Sequence, residues 1–375
     1  MINLLLVGLS RADYWLMKSL FLNFTNKDDF NVDFLVSNIL LNELESENEV
    51  EFNNINTLEN INIIHYTNFN STVETFISVQ KEFNNFIEMK TIDLVLVLGD
   101  RFETLAIAQV AFLRGINVAH ISGGETTFGS KDNEFRKCIS LFSKLHFPAK
   151  ENHATELRKL GVEMKNTKIV GYMAIDSINM YKKQFVDKKS LLETLSISTD
   201  NEISVVTYHP NTKNPNLTEY ELETMIAFME SIENRFFVIT AANNDDGGIQ
   251  INDRMLNWTL SNSHKSKFFY HLGSRDYFNL LINANCLIGN SSSGLTEAAI
   301  LNVPVVNIGD RQLGRHKEGN VYDCDFTVEM ITKQYSVASK SISKNSQGTL
   351  DNNFISPSSL IVNFLENFYG LGADK

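Results

Sequence analysis

Short apolar runs recur along the chain, each closed by a polar or glycine-containing turn and followed by a stretch with helical spacing. The runs are INLLLVG (2–8), NVDFLVS (31–37), IDLVLVLGD (92–100), INVAHISGG (116–124), TKIVGYM (167–173), EISVVTYHP (202–210), RFFVITAAN (235–243), NCLIGNSSSG (285–294) and VPVVNIGD (303–310). Aliphatic and β-branched residues without apolar–polar alternation suit strands covered on both faces. Helical patterns such as ETLAIAQVAFLRG and YELETMIAFMESI lie between them. Strand and helix alternating in this way predict an α/β fold of parallel sheets built from right-handed βαβ units.

The length of 375 residues exceeds one ordinary core and suits two domains, with the connection in or near the charged stretch 176–202. Hydrophobic residues at 43% and charged residues at 21% are those of a soluble globular protein, which sets aside disordered and fibrous classes. A formal charge of −12, from 33 basic and 45 acidic residues without a block of like charges, disfavours a nucleic-acid surface. An anionic small ligand stays open, because a few arginines and backbone amides converging on one point hold a phosphate locally. Cys138, Cys286 and Cys324 stand far apart without a CxxC pair, which fits a reducing compartment and no structural zinc. The N-terminus MINLLLVGLSRAD lacks a basic lead, and no apolar run reaches the ~20 residues of a membrane span. A cytoplasmic protein without signal peptide or membrane contact is expected.

In open α/β sheets, ligands bind outside the carboxyl ends of the strands. The polar residues that end the apolar runs are Arg11 and Asp13, Asp100 and Arg101, Glu125, His209, Asn243, Ser291 and Ser292, and Arg311. They gather along one edge of each sheet; if the two edges face each other, they line one interdomain cleft. GNSSSGLTEAAI (289–300) reads as a phosphate site in which serines end a strand and open a helix, so that hydroxyls, free N–H groups and the positive helix end meet. A plain helix cap is the competing explanation. Glu297, one turn inside that helix, suits the two hydroxyls of a ribose or simply favours the helix N-terminus. NIGDRQLGRHKEGN (307–320) offers Arg311 on a glycine-broken loop that can reach a diphosphate, or else a solvated basic loop. No GxGxxG follows SRADY (10–14) and no GxxxxGK[ST] occurs, so dehydrogenase and P-loop readings lose their main support.

The carboxylates carry the chemistry. Asp100 ends a strand, Glu125 follows SGG at the end of the next, and SKDNEFR (130–136) brings Asp132 and Glu134 near Arg136. Carboxylates crowded in a partly desolvated space have their pKa values pushed apart, which suits one for abstracting a proton and another for donating it. A divalent-metal site is the rival, but no acid here stands three or four residues from a histidine. His209 in TYHP is placed to meet substrate, whereas His120 (VAHIS) and His146 (KLHFP) lie in apolar contexts and read first as core.

In order from residue 10 to 315, SRADY, LGDRFE, AHISGGETTFGSKDNEFR, KLHF, YHP, NNDDGG, GNSSSGLTEAA and VNIGDRQLGR resemble the hydrolysing UDP-N-acetylglucosamine 2-epimerases of sialic-acid-type pathways. The resemblance implies a GT-B-like pair of Rossmann-like domains, residues 1–180 and 181–355, with the final helix-like segment (about 356–375) crossing back to the first. It implies removal of the sugar C2 proton, anti elimination of UDP to a glycal, and hydration to the 2-epimeric free sugar. UDP-N-acetylglucosamine would give N-acetylmannosamine for nonulosonic (sialic-type) acids and cell-surface polysaccharide, with no nicotinamide or other cofactor and no metal. Carried onto this chain, Asp100, Glu125, Asp132 and His209 are the catalytic residues. Arg11, Asp13, Arg136, Asn243, Ser291, Ser292, Glu297 and Arg311 bind the UDP-sugar, and a homodimer is expected. Two departures bear on the sugar. Lys137 stands where the family commonly has histidine, and VLGDRFE with GGETT is closer to the subgroup acting on UDP-2,4-diacetamido-2,4,6-trideoxyglucose in legionaminic-type pathways. The alternatives in class are a GT-B glycosyltransferase, which needs an acceptor, and a nucleotide-sugar sensor without turnover.

Overall fold

The computed structural model describes residues 1–47, 60–69, 71–198, 200–211, 213–242, 247–341 and 355–371. The chain divides into two units: Met1–Thr126 with Asp132–Met180 and Phe354–Lys375, and Thr127–Lys131 with Tyr181–Asn353.

In the first unit the strands are β1 (Ile2–Gly8), β2 (Phe30–Ser37), β3 (Ile61–Ile64), β4 (Leu94–Leu98), β5 (Asn117–Ile121) and β6 (Leu145–Phe147). They form one sheet in the order β3-β2-β1-β4-β5-β6, with every neighbouring pair parallel. All five residues of β4 are buried. That explains the unbroken apolar run, because helices cover both faces of the sheet. The helix Phe102–Leu113 packs between the helices Thr72–Glu88 and Asp132–Phe142, and buries Ala106, Ile107, Ala108, Val110 and Ala111. The helix Pro357–Phe368 belongs to this unit as well: the Asp176 carboxylate accepts the Ser358 N–H at 2.7 Å at its N-terminus, and Phe364 meets Phe147 edge-on. An anion at that helix end offsets unpaired N–H groups and the helix dipole together.

The second unit repeats the topology. Its strands are β7 (Glu202–Thr207), β8 (Arg235–Thr240), β9 (Ser266–Phe269), β10 (Cys286–Gly289), β11 (Val305–Ile308) and β12 (Val321–Cys324), ordered β12-β11-β10-β7-β8-β9 and parallel throughout. In both sheets the order reverses beside the first strand, between β1 and β4 and between β7 and β10. That reversal is where adjacent crossover loops diverge and leave room for a ligand. The short segment Thr127–Lys131 groups with this unit, where the Phe128 N–H donates to the Leu313 carbonyl at 2.7 Å and Lys213 Nζ donates to the Phe128 carbonyl.

One expectation about strands changes, and four short strands escape the apolar pattern. TKIVGYM contributes one bridge, Thr167 to His146, and is otherwise irregular up to Gly171, whose φ of +90° breaks an extended path. The edge strands β3, β6, β9 and β12 hold only three or four residues each, too few to show a period in the sequence.

Candidate active site

The loops leaving β1, β4 and β5 gather the first group of residues. Gly99 ends the β4 segment with a φ of +81°, and Asp100 follows it. Arg136, on the helix Asp132–Phe142, has a side chain only 3% exposed. Its guanidinium donates to Asp100 Oδ2 through Nη2 and to the Glu125 backbone carbonyl at 2.6 Å through Nη1. One expected acid, through its carboxylate, and the backbone of a second are therefore tied to one cation, so Arg136, expected to hold substrate, is engaged within the protein. Glu125 is buried, Asp132 is half-buried as the first residue of its helix, and Lys137 on the same helix is exposed.

Asp13 and Arg11 follow β1. Ser10 Oγ donates to Asp13 Oδ2 at 2.7 Å and accepts the Asp13 N–H at 3.3 Å, a reciprocal cap for the helix Arg11–Phe24. Burial raises the Asp13 carboxyl above its ordinary value, an effect that Arg101 nearby partly offsets. Arg101 in turn makes a two-point contact with Glu103 at 2.9 and 3.2 Å, and Arg11 Nε lies 3.3 Å from Glu43. A helix cap is thus the local task of Asp13.

In the second unit the loops after β7 and β10 meet. β10 ends at Gly289, where a Cβ would fall 1.9 Å from the Thr207 carbonyl oxygen, so only glycine lets the two strands diverge there. The Asn290 side chain then accepts the His209 N–H at 2.7 Å and donates to the His209 carbonyl at 2.8 Å. Its own backbone carbonyl accepts from Arg311 Nη1 at 3.2 Å and from Gln312 Nε2 at 2.8 Å. One buried asparagine fixes the loops bearing His209, Ser291 and Arg311. His209 Nε2 lies 3.3 Å from Ser291 Oγ, and Ser293 shares its hydroxyl with Ser291 at 3.1 Å and with Tyr277 at 2.7 Å.

The serine run departs from its expected form. Ser291 caps a 3-10 turn, Ser292–Gly294, and the α-helix begins only at Glu297 and ends at Ile300. A four-residue helix carries little dipole, so the donors this turn presents are its hydroxyls and N–H groups. Glu297 is the first residue of that helix rather than one turn inside it, and its carboxylate accepts from the Thr296 hydroxyl. Ser292 is exposed, and Arg311 is half-buried. Asn243 lies outside the described residues. Asn290 and Tyr277 escaped the sequence reading. A buried polar residue directly after an apolar strand was the available signal for Asn290, whereas Tyr277 gave none.

Residues 46–360 match the family model described as UDP-N-acetylglucosamine 2-epimerase. The chain belongs to that family. Among its relatives, the GDP/UDP-N,N'-diacetylbacillosamine 2-epimerase (hydrolyzing) of Campylobacter jejuni is 32% identical over 328 residues, which cover 85% of this chain and 83% of that protein. The UDP-N,N'-diacetylbacillosamine 2-epimerase (hydrolyzing) of Legionella pneumophila is 29% identical over 326 residues, covering 86% and 85%. Of the solved structures, the UDP-GlcNAc 2-epimerase of Neisseria meningitidis, bound to UDP-GlcNAc, aligns with a TM-score of 0.80 over 98% of this chain and 100% of that one. At 16% identity that likeness speaks for the GT-B-like fold alone. The family match takes in every expected site residue except Arg11 and Asp13.

Three histidines of this 2-epimerase family member share one electrostatic condition. Burial pushes His120 down to about 3, His146 to about 4 and His209 to about 3, with Arg311 adding to the effect at His209. Each is neutral in the folded protein while its unfolded counterpart titrates near ~6.5. The unfolded chain therefore binds more protons below that pH, so stability from these groups is present above it and is lost as pH falls toward 4. Each group contributes up to ~1.4 kcal/mol per pH unit in that window. The melting temperature is expected to fall steadily from pH 7 to pH 4.5, and a flat or rising profile would contradict the neutral assignment.

Proposed function

We propose that this chain is a hydrolysing 2-epimerase of a UDP-linked 2-acetamido sugar, with UDP-N,N'-diacetylbacillosamine as its preferred substrate. That sugar is the 2,4-diacetamido-2,4,6-trideoxyglucose for which VLGDRFE and GGETT already spoke. The two diacetylbacillosamine enzymes that match most of this chain support the same choice over UDP-N-acetylglucosamine. The observation that carries the reaction type is the pairing of Asp100 and the Glu125 loop on one buried guanidinium. A C2 proton beside an acetamido group is weakly acidic, and a carboxylate removes it only when its own position and charge are fixed.

In this reading a carboxylate of the set Asp100, Glu125 and Asp132 takes the C2 proton while the C1–O bond breaks and UDP leaves with the bonding electrons. A glycal results. Water then adds at C1 and a proton returns to C2 from the opposite face, giving the free 2-epimeric sugar. The base is assigned to this set of three acids rather than to one member of it. Arg311, Ser291, Ser292 and the neutral His209 are assigned to the diphosphate, and Glu297 to the ribose. Arginine and hydroxyl donors offset the charge that grows on the leaving diphosphate. No step calls for a hydride acceptor. The product is a substrate for nonulosonic acid synthesis, and the protein is assigned to the cytoplasm as a homodimer. Among the described residues no helix is long and apolar enough to cross a membrane.

Two measurements test this function. Mass spectrometry of reactions with UDP-N,N'-diacetylbacillosamine, its GDP counterpart and UDP-N-acetylglucosamine should show the first turned over with kcat/KM at least ~10-fold above the third. A higher kcat/KM for UDP-N-acetylglucosamine would reverse the substrate assignment, and no product from any of them would end the epimerase reading. Asp100→Asn is expected to lower kcat by at least ~10²-fold with the UDP Kd within a few-fold of wild type, whereas Arg311→Ala weakens UDP binding first. Equal losses of binding and turnover in Asp100→Asn would mean a structural role.

A further inference from the structure

His120 read as core from its sequence, and it is fully buried on β5. Its two ring nitrogens nevertheless both have polar partners. Nε2 lies 2.7 Å from the Gly99 carbonyl oxygen, and Nδ1 lies 2.9 Å from Ser140 Oγ. A carbonyl only accepts, so Nε2 carries the hydrogen. Burial keeps the ring neutral, which leaves Nδ1 to accept the Ser140 hydroxyl hydrogen.

The partners of this ring are each one step from a residue of the acid cluster. Gly99 immediately precedes Asp100, and its N–H is held by the next residue of β5, donating to the Ile121 carbonyl at 3.0 Å. Ser140 lies one helical turn beyond Arg136 on the same face of the helix Asp132–Phe142. Gly123, two residues before Glu125, sits so close to the ring that a Cβ there would fall 2.8 Å from His120 Nδ1 and 2.9 Å from Ser140 Oγ.

We propose that His120 is a positioning residue, one imidazole that sets the mutual placement of Asp100, Arg136 and the Glu125 loop without touching substrate. The role rests on the reading of Asp100 and Glu125 as reacting carboxylates. A leucine would fill the same buried space but leave the Gly99 carbonyl and the Ser140 hydroxyl without their partner. Glutamine can still place an N–H near the Nε2 position, so it keeps the contact nearest Asp100.

The test uses the full-length enzyme and UDP release from UDP-N,N'-diacetylbacillosamine, with thermal melting to show that each variant is folded. His120→Leu is expected to lower kcat by ~10²-fold with KM within ~3-fold, since a displacement of about 1 Å at a reacting group has that scale of effect. His120→Gln should recover most of that loss, and Ser140→Ala should lower kcat by ~3- to 10-fold at unchanged KM. A folded His120→Leu with kcat within ~3-fold of wild type, or Gln and Leu variants equally impaired, would overturn the role. Should His120→Leu fail to fold, Ser140→Ala decides, and a wild-type kcat in that variant overturns it. An inactive wild-type protein would instead overturn the functional reading beneath it.

Discussion

The guanidinium of Arg136, almost wholly removed from water, is the constraint on which the acid cluster depends. A buried cation is tolerated only when anions and carbonyls satisfy it, and here Asp100 and the Glu125 carbonyl do so from two different crossover loops. The pairing keeps a negative charge on Asp100 favourable in a partly desolvated setting. It also fixes the distance between two loops that the sheet brings near one another but does not lock. The fold supplies the rest of the geometry. Parallel strands deliver the loops to one sheet edge, the reversal of strand order opens space there, and the apolar helix Phe102–Leu113 holds the β4 loop against the sheet.

The second unit solves the same problem with a neutral group. Asn290 bonds the His209 backbone through both ends of its amide, and its carbonyl draws in Arg311 and Gln312. Both burial and the charge of Arg311 keep the His209 imidazole uncharged. The two units thus share a topology and differ in how their loops are fixed, one through a buried guanidinium and the other through a buried amide.

Much of the fold was legible because buried parallel strands leave an unmistakable trace of unbroken aliphatic runs ending in glycine or a polar residue. β4, β7, β8, β10 and β11 all carry it. Short edge strands do not, and TKIVGYM imitated one while Gly171 turned the chain away. Sequence order alone placed Asp100, Glu125 and the serine run in the loops that follow strands. It could not tell that Arg136 would be spent on Asp100, that Asp13 would cap its own helix, or that the three serines would form a tight turn instead of opening a long helix. Those outcomes depend on which loops meet in space. His120 is the clearest case, since a histidine inside an apolar run looks like filler until its two nitrogens are seen to bond the segments carrying the acids.

Loss and return of a proton at the sugar C2 is the step on which the proposed reaction depends. Run in deuterium oxide with UDP-N,N'-diacetylbacillosamine and no acceptor, the enzyme should release UDP and yield a free 2-epimeric sugar carrying deuterium at C2. Product with only protium at C2, or UDP release that requires an added acceptor, would contradict proton abstraction by the carboxylate cluster.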